Sequence, residues 1–198
     1  MIKPSLILIG AGGHCKSCID VIEQENKFII AGIVDINTSI SDLLGYPLLG
    51  HDDDLAKLKL SYDYALITIG QIKTPAIRIR LLDYAKSLGF KLPTIISPRA
   101  YVSKHAKIGH GTIVMHDALI NAGALVGDNC IINTKSLIEH DAVIENNCHI
   151  STGAVINGGV IVKQGSFVGS NAVTKESVDT KENDFIKAGS LFKGHVNE

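Results

Sequence analysis

The stretch that decides the fold is VSKHAKIGHGTIVMHDALINAGALV, from Val102 to Val126. Stepping by six from Val102 gives Ile108, Val114, Ile120 and Val126, and the series runs on through Ile132, Ile138, Ile144, Ile150, Ile156, Val162 and Val168. Every member is Ile or Val. Four places after each comes a second series: Ala106, Thr112, Ala118, Ala124, Cys130, Ser136, Ala142, Cys148, Ala154, Val160, Ser166 and Ala172. All but Val160 are small. A strict six-residue period with one branched aliphatic and one small residue is the signature of a hexapeptide solenoid, in which three short strands and three corners make one coil of eighteen residues. The aliphatic fills the interior of each face, the small residue fits beside the corner, and successive coils stack about 4.8 Å apart. The two registers span about four coils, and the fold predicted for this half is a left-handed parallel β-helix. Asn121, Gly127, Asn133, Asn146 and Gly153 are read as corner residues that tolerate positive φ. The segment from Thr174 to Glu198, polar at first and then carrying Phe185, Ile186, Leu191 and Phe192, is expected to cap the last coil and continue into a short tail.

Upstream of the repeat the pattern changes to alternating strands and helices, which implies an α/β unit with a parallel sheet. Ser5–Ile9 is an apolar run ending in Gly10-Ala11-Gly12-Gly13, an amphipathic stretch follows, and Phe28 to Val34 reads as a second strand ending in Asp35. Asp52 to Leu60 reads as helix, Tyr64 to Ile69 as a third strand followed by Gly70, and Pro75 to Leu88 as a helix stopped by Gly89. Pro93 and Pro98 punctuate the passage into the solenoid. The expected organisation is therefore a Rossmann-like unit over residues 1–95 and a β-helix over 98–198.

The glycine turn between strand and helix places backbone N–H groups and a helix N-terminus where a phosphate is favoured. Gly10 and Gly12 match the dinucleotide fingerprint, but Cys15 stands at its third glycine. Asp35, at the next strand end, has the place of a carboxylate that bonds a ribose or base. A structural turn without a ligand remains the alternative reading of these residues.

Composition excludes other classes. Lys plus Arg number 19 and Asp plus Glu 20, a formal charge of -1, so no global basic field points to nucleic acid. No stretch approaches the apolar length of a membrane span, and Leu6–Ile9 is too short for a signal core. A cytoplasmic location with four reduced cysteines is the expectation. Cys130 and Cys148 are eighteen residues apart in the small inward series, so they stack as buried core. Cys15-x-x-Cys18 lies in a glycine turn unlike a redox motif, and the spacing of His105, His110 and His116 does not make a metal set, so no metal is expected.

With both halves read, the chain resembles the bacterial sugar O-acyltransferase family that includes sialic acid O-acetyltransferases of the NeuD type and nucleotide-amino-sugar N-acetyltransferases of the PglD type. The matching motifs are Ile9-Gly10-Ala11-Gly12-Gly13-His14, Gly45-Tyr46-Pro47-Leu48-Leu49-Gly50 with Asp52-Asp53-Asp54, and Ile138-Glu139-His140-Asp141 with His149 nine residues after His140. It departs from the family at Gln71, at Ser97 and over Ala188–Lys193.

The resemblance implies an acetyl-CoA-dependent acetyltransferase acting on a nucleotide-linked amino sugar, such as a UDP-4-amino-4,6-dideoxy sugar, for a surface glycan or glycoprotein. It implies a homotrimer with acetyl-CoA between subunits. It assigns His140 as general base and Asp141 as the residue that orients it. Gly10, Gly12, Gly13, His14, Asp35 and Gly70 are assigned to the nucleotide sugar, and His149, Gly158 and Ser170 to acetyl-CoA. His149, stacked between Ile131 and Phe167, is expected to donate to the thioester carbonyl. O-acetylation of a sialic-type sugar is the alternative within the family. A metal-dependent hydratase on the same solenoid and a non-catalytic nucleotide-sugar binder are the alternatives outside it.

Overall fold

The computed structural model describes residues 3–37, 39 and 41–195. Its N-terminal unit is built from β1 (Ser5–Ile9), α1 (Gly13–Glu25), β2 (Ile29–Val34), β3 (Asp42–Leu43), β4 (Tyr46–Gly50), α2 (Leu55–Leu58), β5 (Tyr64–Ile67) and α3 (Ala76–Ser87). The sheet order is β3-β4-β2-β1-β5. β1 lies between β2 and β5 and is parallel to both, and Leu6 to Ile9 are sealed from solvent, as a strand covered on both faces requires. α1 buries Cys15, Cys18, Ile19 and Ile22, the i, i+3, i+4, i+7 stripe of an amphipathic helix, and stops at Asn26, whose left-handed backbone returns its N–H to the Ile22 carbonyl.

Three expectations for this unit are corrected. Gly45–Gly50 is not only a motif: it contains β4, which adds a strand parallel to β2. The sheet is not wholly parallel, because β3 pairs antiparallel with β4. The Asp52–Leu60 helix is a short 3₁₀ turn at Asp52–Asp54 running into the four residues of α2.

The second half is a three-faced solenoid of parallel two-residue strands. One face carries Tyr101, Leu119, Leu137, Val155, Val173 and Leu191 outward; the next carries Lys107, Leu125, Val143 and Ile161; the third carries Ile95, Ile113, Ile131, His149, Phe167 and Phe185. Each residue pairs with the one eighteen places on, as in Leu119 with Leu137 and Ile131 with His149. The predicted aliphatic and small series form one buried column, including Ile120, Ile138, Ile156, Ala142 and Cys148.

Three details of the repeat reading change. Positive φ falls at the fourth place of the hexad, at every sixth residue from Gly111 and Asp117 through Asp141 and Asn147 to Gly189. Of the residues assigned to it, only Gly153 has it; Asn121, Gly127, Asn133 and Asn146 occupy other corner positions. The faces carry six, four and six strands, so the solenoid exceeds four coils. It starts at Ile95 and continues to Phe192, so that Phe185–Ile186 and Leu191–Phe192 extend the strand stacks and do not form a separate cap. In that extension Thr174 and Thr180 replace the aliphatic, and their hydroxyls accept the backbone N–H of Asn157 and Lys163. The last three residues of the expected tail, 196–198, lie outside the described residues.

The two halves share a core. Cys15, Cys18, Ile19 and Ile22 of α1 pack with Ile95, Ile113, Met115 and Ile131 of the third solenoid face. A second tie joins Asp20 to His116 Nε2 at 2.7 Å, with His116 Nδ1 2.6 Å from the buried hydroxyl of Ser97. Among the described residues no three His, Cys, Asp or Glu side chains gather as a metal-binding group, and no helix is long and apolar enough to cross a membrane.

Candidate active site

Where the C-terminal ends of β1 and β5 meet the solenoid there is a cleft of about 750 Å³. Its first wall is Gly12, Gly13, His14, Asp35 and the Ile69–Ile72 segment; its second is Asn133, Thr134, His149 and Thr152. Thus Gly12, Gly13, His14, Asp35, Gly70 and His149, separated by up to 137 places in the chain, line one space. Gly10 does not line it. Its φ of +112° and the collision a Cβ would make with Ile69 give that glycine a packing role. At Gly12 a Cβ would meet nothing within 4 Å, so the open space above that glycine is available to a ligand. Gly12 precedes α1 and no acidic residue occupies the first turn, so the helix N-terminus faces the cleft with no carboxylate of its own helix against it. Both Asp35 oxygens accept backbone N–H groups, from Ala11 at 2.5 Å and Asn37 at 2.7 Å. The carboxylate therefore braces the glycine turn and keeps its remaining lone pairs for a ligand.

Two histidines stand in the cleft, with ring centroids 6.5 Å apart. His149 Nδ1 lies 2.6 Å from the Gln71 carbonyl, which can only accept, so the proton is on Nδ1. Its Nε2 accepts from Asn133 Nδ2 at 3.1 Å, and Asn133 Oδ1 is taken by the Thr134 N–H, which fixes the amide's orientation. The Phe167 ring meets it edge-on at 5.1 Å. Burial, opposed by the Gln71 bond and aided by Arg78, pushes the His149 pKa down to about 4. Burial, then the charges of Arg78 and His149, pushes His14 down to about 3, and its Nε2 has no partner among the described residues. Both rings are neutral at neutral pH. In this arrangement both His149 nitrogens are committed within the chain, and a donor role toward a carbonyl requires displacing Asn133 and placing a proton on Nε2, by protonation of the ring or by a tautomer change that gives up the Gln71 bond.

His140 is elsewhere. It occupies the third place of its hexad, at the corner between the Leu137 face and the Val143 face, with its side chain 66% exposed. Asp141, in the left-handed conformation at φ +59°, turns its carboxylate back to His140 Nδ1 at 3.0 Å. That bond is the first cause raising the His140 pKa above its ordinary value, with Glu139 adding to it. It also leaves Nε2 with no hydrogen-bond partner among the described residues, the arrangement of a general base oriented by a carboxylate. Gly158, eighteen residues on, lies under the imidazole. Ser170 is on the same corner column as Thr134 and Thr152, next to the cleft, with its hydroxyl 3.0 Å from that of Ser151. The predicted residues therefore form two groups on two corners: the cleft group, and His140 with Asp141 and Gly158.

Gln71, Asn133, Thr134 and Thr152 were not anticipated as cleft residues. The polar pair Thr134 and Thr152, one coil apart at outward corner places, is the trace they leave in the sequence.

Comparison with known proteins agrees with this geometry. The family described as PglD N-terminal domain matches residues 5–84. No curated protein matches. Among solved structures, the acetyltransferase domain of PglB from Neisseria gonorrhoeae is similar over 99% of this chain and 94% of its own, at 27% identity and TM-score 0.91. A histidine-to-asparagine variant of perosamine N-acetyltransferase from Caulobacter crescentus, in complex with CoA and GDP-perosamine, is similar over 96% of this chain and 89% of its own, at 30% identity and TM-score 0.91. WeeI from Acinetobacter baumannii shares the fold at 20% identity and TM-score 0.61.

Proposed function

Because the chain belongs to the PglD/NeuD-like family of sugar acetyltransferases, we propose that it moves the acetyl group of acetyl-CoA onto the amino group of a nucleotide-linked sugar. The observation that carries the reading is the His140–Asp141 pair: an exposed imidazole, oriented through Nδ1, with Nε2 open to a substrate. The relatives seen with acetyl-CoA, or with CoA and GDP-perosamine, support both ligand classes.

The reaction is direct. The neutral sugar amine attacks the thioester carbonyl, His140 Nε2 removes a proton as the C–N bond forms, and the tetrahedral adduct collapses with departure of the CoA thiolate, which then gains a proton. The imidazolium formed on His140 is stabilised by Asp141. A positioned base contributes about 10²–10⁴-fold. We assign the nucleotide diphosphate to Gly12, Gly13 and His14 at the α1 N-terminus, the nucleoside to Asp35 and Gly70, and acetyl-CoA to His149, Gly158 and Ser170.

We further propose a homotrimer. The cleft and His140 are on different corners of one chain, so a single site drawing on both needs two subunits. Two solenoid faces also carry apolar columns without cover in one chain, including Tyr101 and Leu191, more than half exposed, and Leu125. Packing unlike faces head to tail closes a three-fold ring and covers both columns. On this reading residues 1–95 hold the sugar nucleotide, residues 98–198 hold acetyl-CoA and the base, and the enzyme works in the cytoplasm on a precursor of a surface glycan.

The test is release of free thiol from acetyl-CoA across a panel of UDP- and GDP-linked amino sugars, with a sialic-type sugar in a further arm. Turnover with an amino sugar and none with its hydroxyl analogue supports the proposal. Turnover confined to the sialic-type arm replaces N- by O-acetylation, and a trimer without turnover on any acceptor overturns an enzymatic role.

A further inference from the structure

Arg78 lies inside α3, 1% exposed, and its hydrogen-bond partners among the described residues include no carboxylate. Burying a cation without a counter-ion is costly unless its donors are well satisfied. Here the two Nη groups are satisfied by backbone and amide oxygens from separate parts of the chain, while Nε has no partner among the described residues. Nη1 donates to the carbonyls of Ile67 at 3.1 Å and Ile69 at 2.5 Å, where the chain leaves β5. Nη2 donates to the Asn129 carbonyl at 3.1 Å and its side-chain oxygen at 2.7 Å, on a corner of the solenoid. Burial lowers the Arg78 pKa to about 10, so the group remains charged at neutral pH.

The network closes on itself. Asn129 Nδ2 donates to Asn147 Oδ1 at 2.8 Å, one coil on. Gln71 Nε2 donates to the Asn147 carbonyl at 3.0 Å and the Gly165 carbonyl at 3.2 Å. The segment Ile69-Gly70-Gln71 is thus gripped at one end by Arg78 and at the other by the solenoid, and Gly70, held between the grips, packs near the His14 ring. A lysine has one nitrogen and cannot bridge these acceptors; the planar fork of arginine can.

We propose that Arg78 is a positioning residue for the ligand cleft, holding the Ile69–Gln71 wall at a fixed distance from the solenoid wall through Asn129. It rests on the reading of the cleft as the nucleotide-sugar site. Neither Arg78 nor Asn129 lines the cleft, so their effect on a ligand is indirect.

The experiment is calorimetric titration of the full chain with UDP and with GDP, for wild type, Arg78→Met, Arg78→Lys, Asn129→Gly and the Arg78→Met/Asn129→Gly double variant. Asn129 has φ +55°, so glycine keeps the corner and removes only the side chain. Folding is checked by circular dichroism. The expected result is about tenfold weaker nucleotide binding in Arg78→Met, a smaller loss in Asn129→Gly, incomplete rescue by Arg78→Lys, and a double variant weaker than Arg78→Met by less than the two losses combined, because both cut one network. Folded Arg78→Met with wild-type affinity, or strictly additive losses, overturns the proposal. If Arg78→Met does not fold, Asn129→Gly decides: unchanged affinity overturns it. Wild type that binds neither nucleotide overturns the cleft assignment itself, a result distinct from any pattern among the variants.

Discussion

The imidazole of His140 rests over Gly158: a Cβ at position 158 would stand 2.9 Å from both Cε1 and Nε2 of the ring. The two residues are one coil apart on the same corner, so the solenoid register itself sets the space in which the base works. Gly158 has no positive φ, and alanine is compatible with its backbone. Gly158→Ala should leave the melting temperature close to wild type, since the exposed ring can swing aside, and should lower kcat by about tenfold or more by displacing Nε2, within the range ascribed to a general base. Steady-state thiol release and a thermal melt check both halves; an unchanged kcat removes His140 from the reaction centre.

His140→Ala should lower kcat by about two to four orders of magnitude with little change in stability, because the side chain is largely exposed. Cys130→Ala and Cys148→Ala should keep near-wild-type turnover, since both thiols are buried in the solenoid core and direct transfer needs no acyl-enzyme. Rapid-quench detection of an acetylated enzyme intermediate would contradict direct transfer.

The pH dependence follows from Asp141. Its bond raises the His140 pKa, so the base is protonated, and inactive, up to a higher pH than an ordinary imidazole. The acidic limb of kcat should therefore lie above about pH 6.5. Asp141→Asn, which fits the same left-handed corner, should move that limb to lower pH and reduce the plateau less than His140→Ala does. A pH–rate profile of the two proteins decides the sign.

Acid should destabilise the chain through the cleft histidines. In the folded state His149 and His14 take up protons only near pH 4 and 3, whereas in the unfolded chain both do so from 6.5 downward. Between those values the unfolded state binds more protons, so stability present at neutral pH is lost as the pH falls through that window. Thermal melts from pH 7 to 4 should show a shallower slope for a His14→Gln/His149→Gln variant than for wild type.

Assembly can be read by mass. Analytical ultracentrifugation should give a trimer, and Leu137→Asp, on the outward column of an uncovered face, should shift it toward the monomer and reduce turnover together. A monomeric, fully active wild type would contradict the shared site.

The solenoid was legible because each coil repeats the same physical demand. One aliphatic and one small residue return every six places, and no other period accommodates them. Where a different residue meets the demand, the pattern fades: Thr174 and Thr180 fill inward places by bonding backbone N–H groups, so the aliphatic series alone stops before the solenoid does. The β3–β4 hairpin was hidden for a similar reason. Its two-residue loop is Leu44-Gly45, with φ of +53° and +84°, a turn usually announced by Asn-Gly or Asp-Gly. Of the site, His140, Asp141 and the cleft glycines could be picked out as local motifs. Arg78, Gln71 and Asn133 could not, because each depends on at least one partner 16 to 94 places away that only the folded chain brings near.

The eighteen-residue coil also makes the molecule a ruler with allowed and forbidden lengths. Excising residues 169–186 removes one whole turn and leaves every upstream corner in phase, a shorter rod with the same base and the same cleft lining, in which Ala188 takes the place of Ser170. Excising only the six residues 127–132 rotates everything after the cut by one face. His140 would then occupy the place of Thr134, on the cleft's own corner, and the imidazole that one chain now presents at a distance would be carried to its own nucleotide wall. Insertions and deletions in this lineage are therefore expected to come in whole coils, or to be confined to corners as bulges that return the chain to the same register.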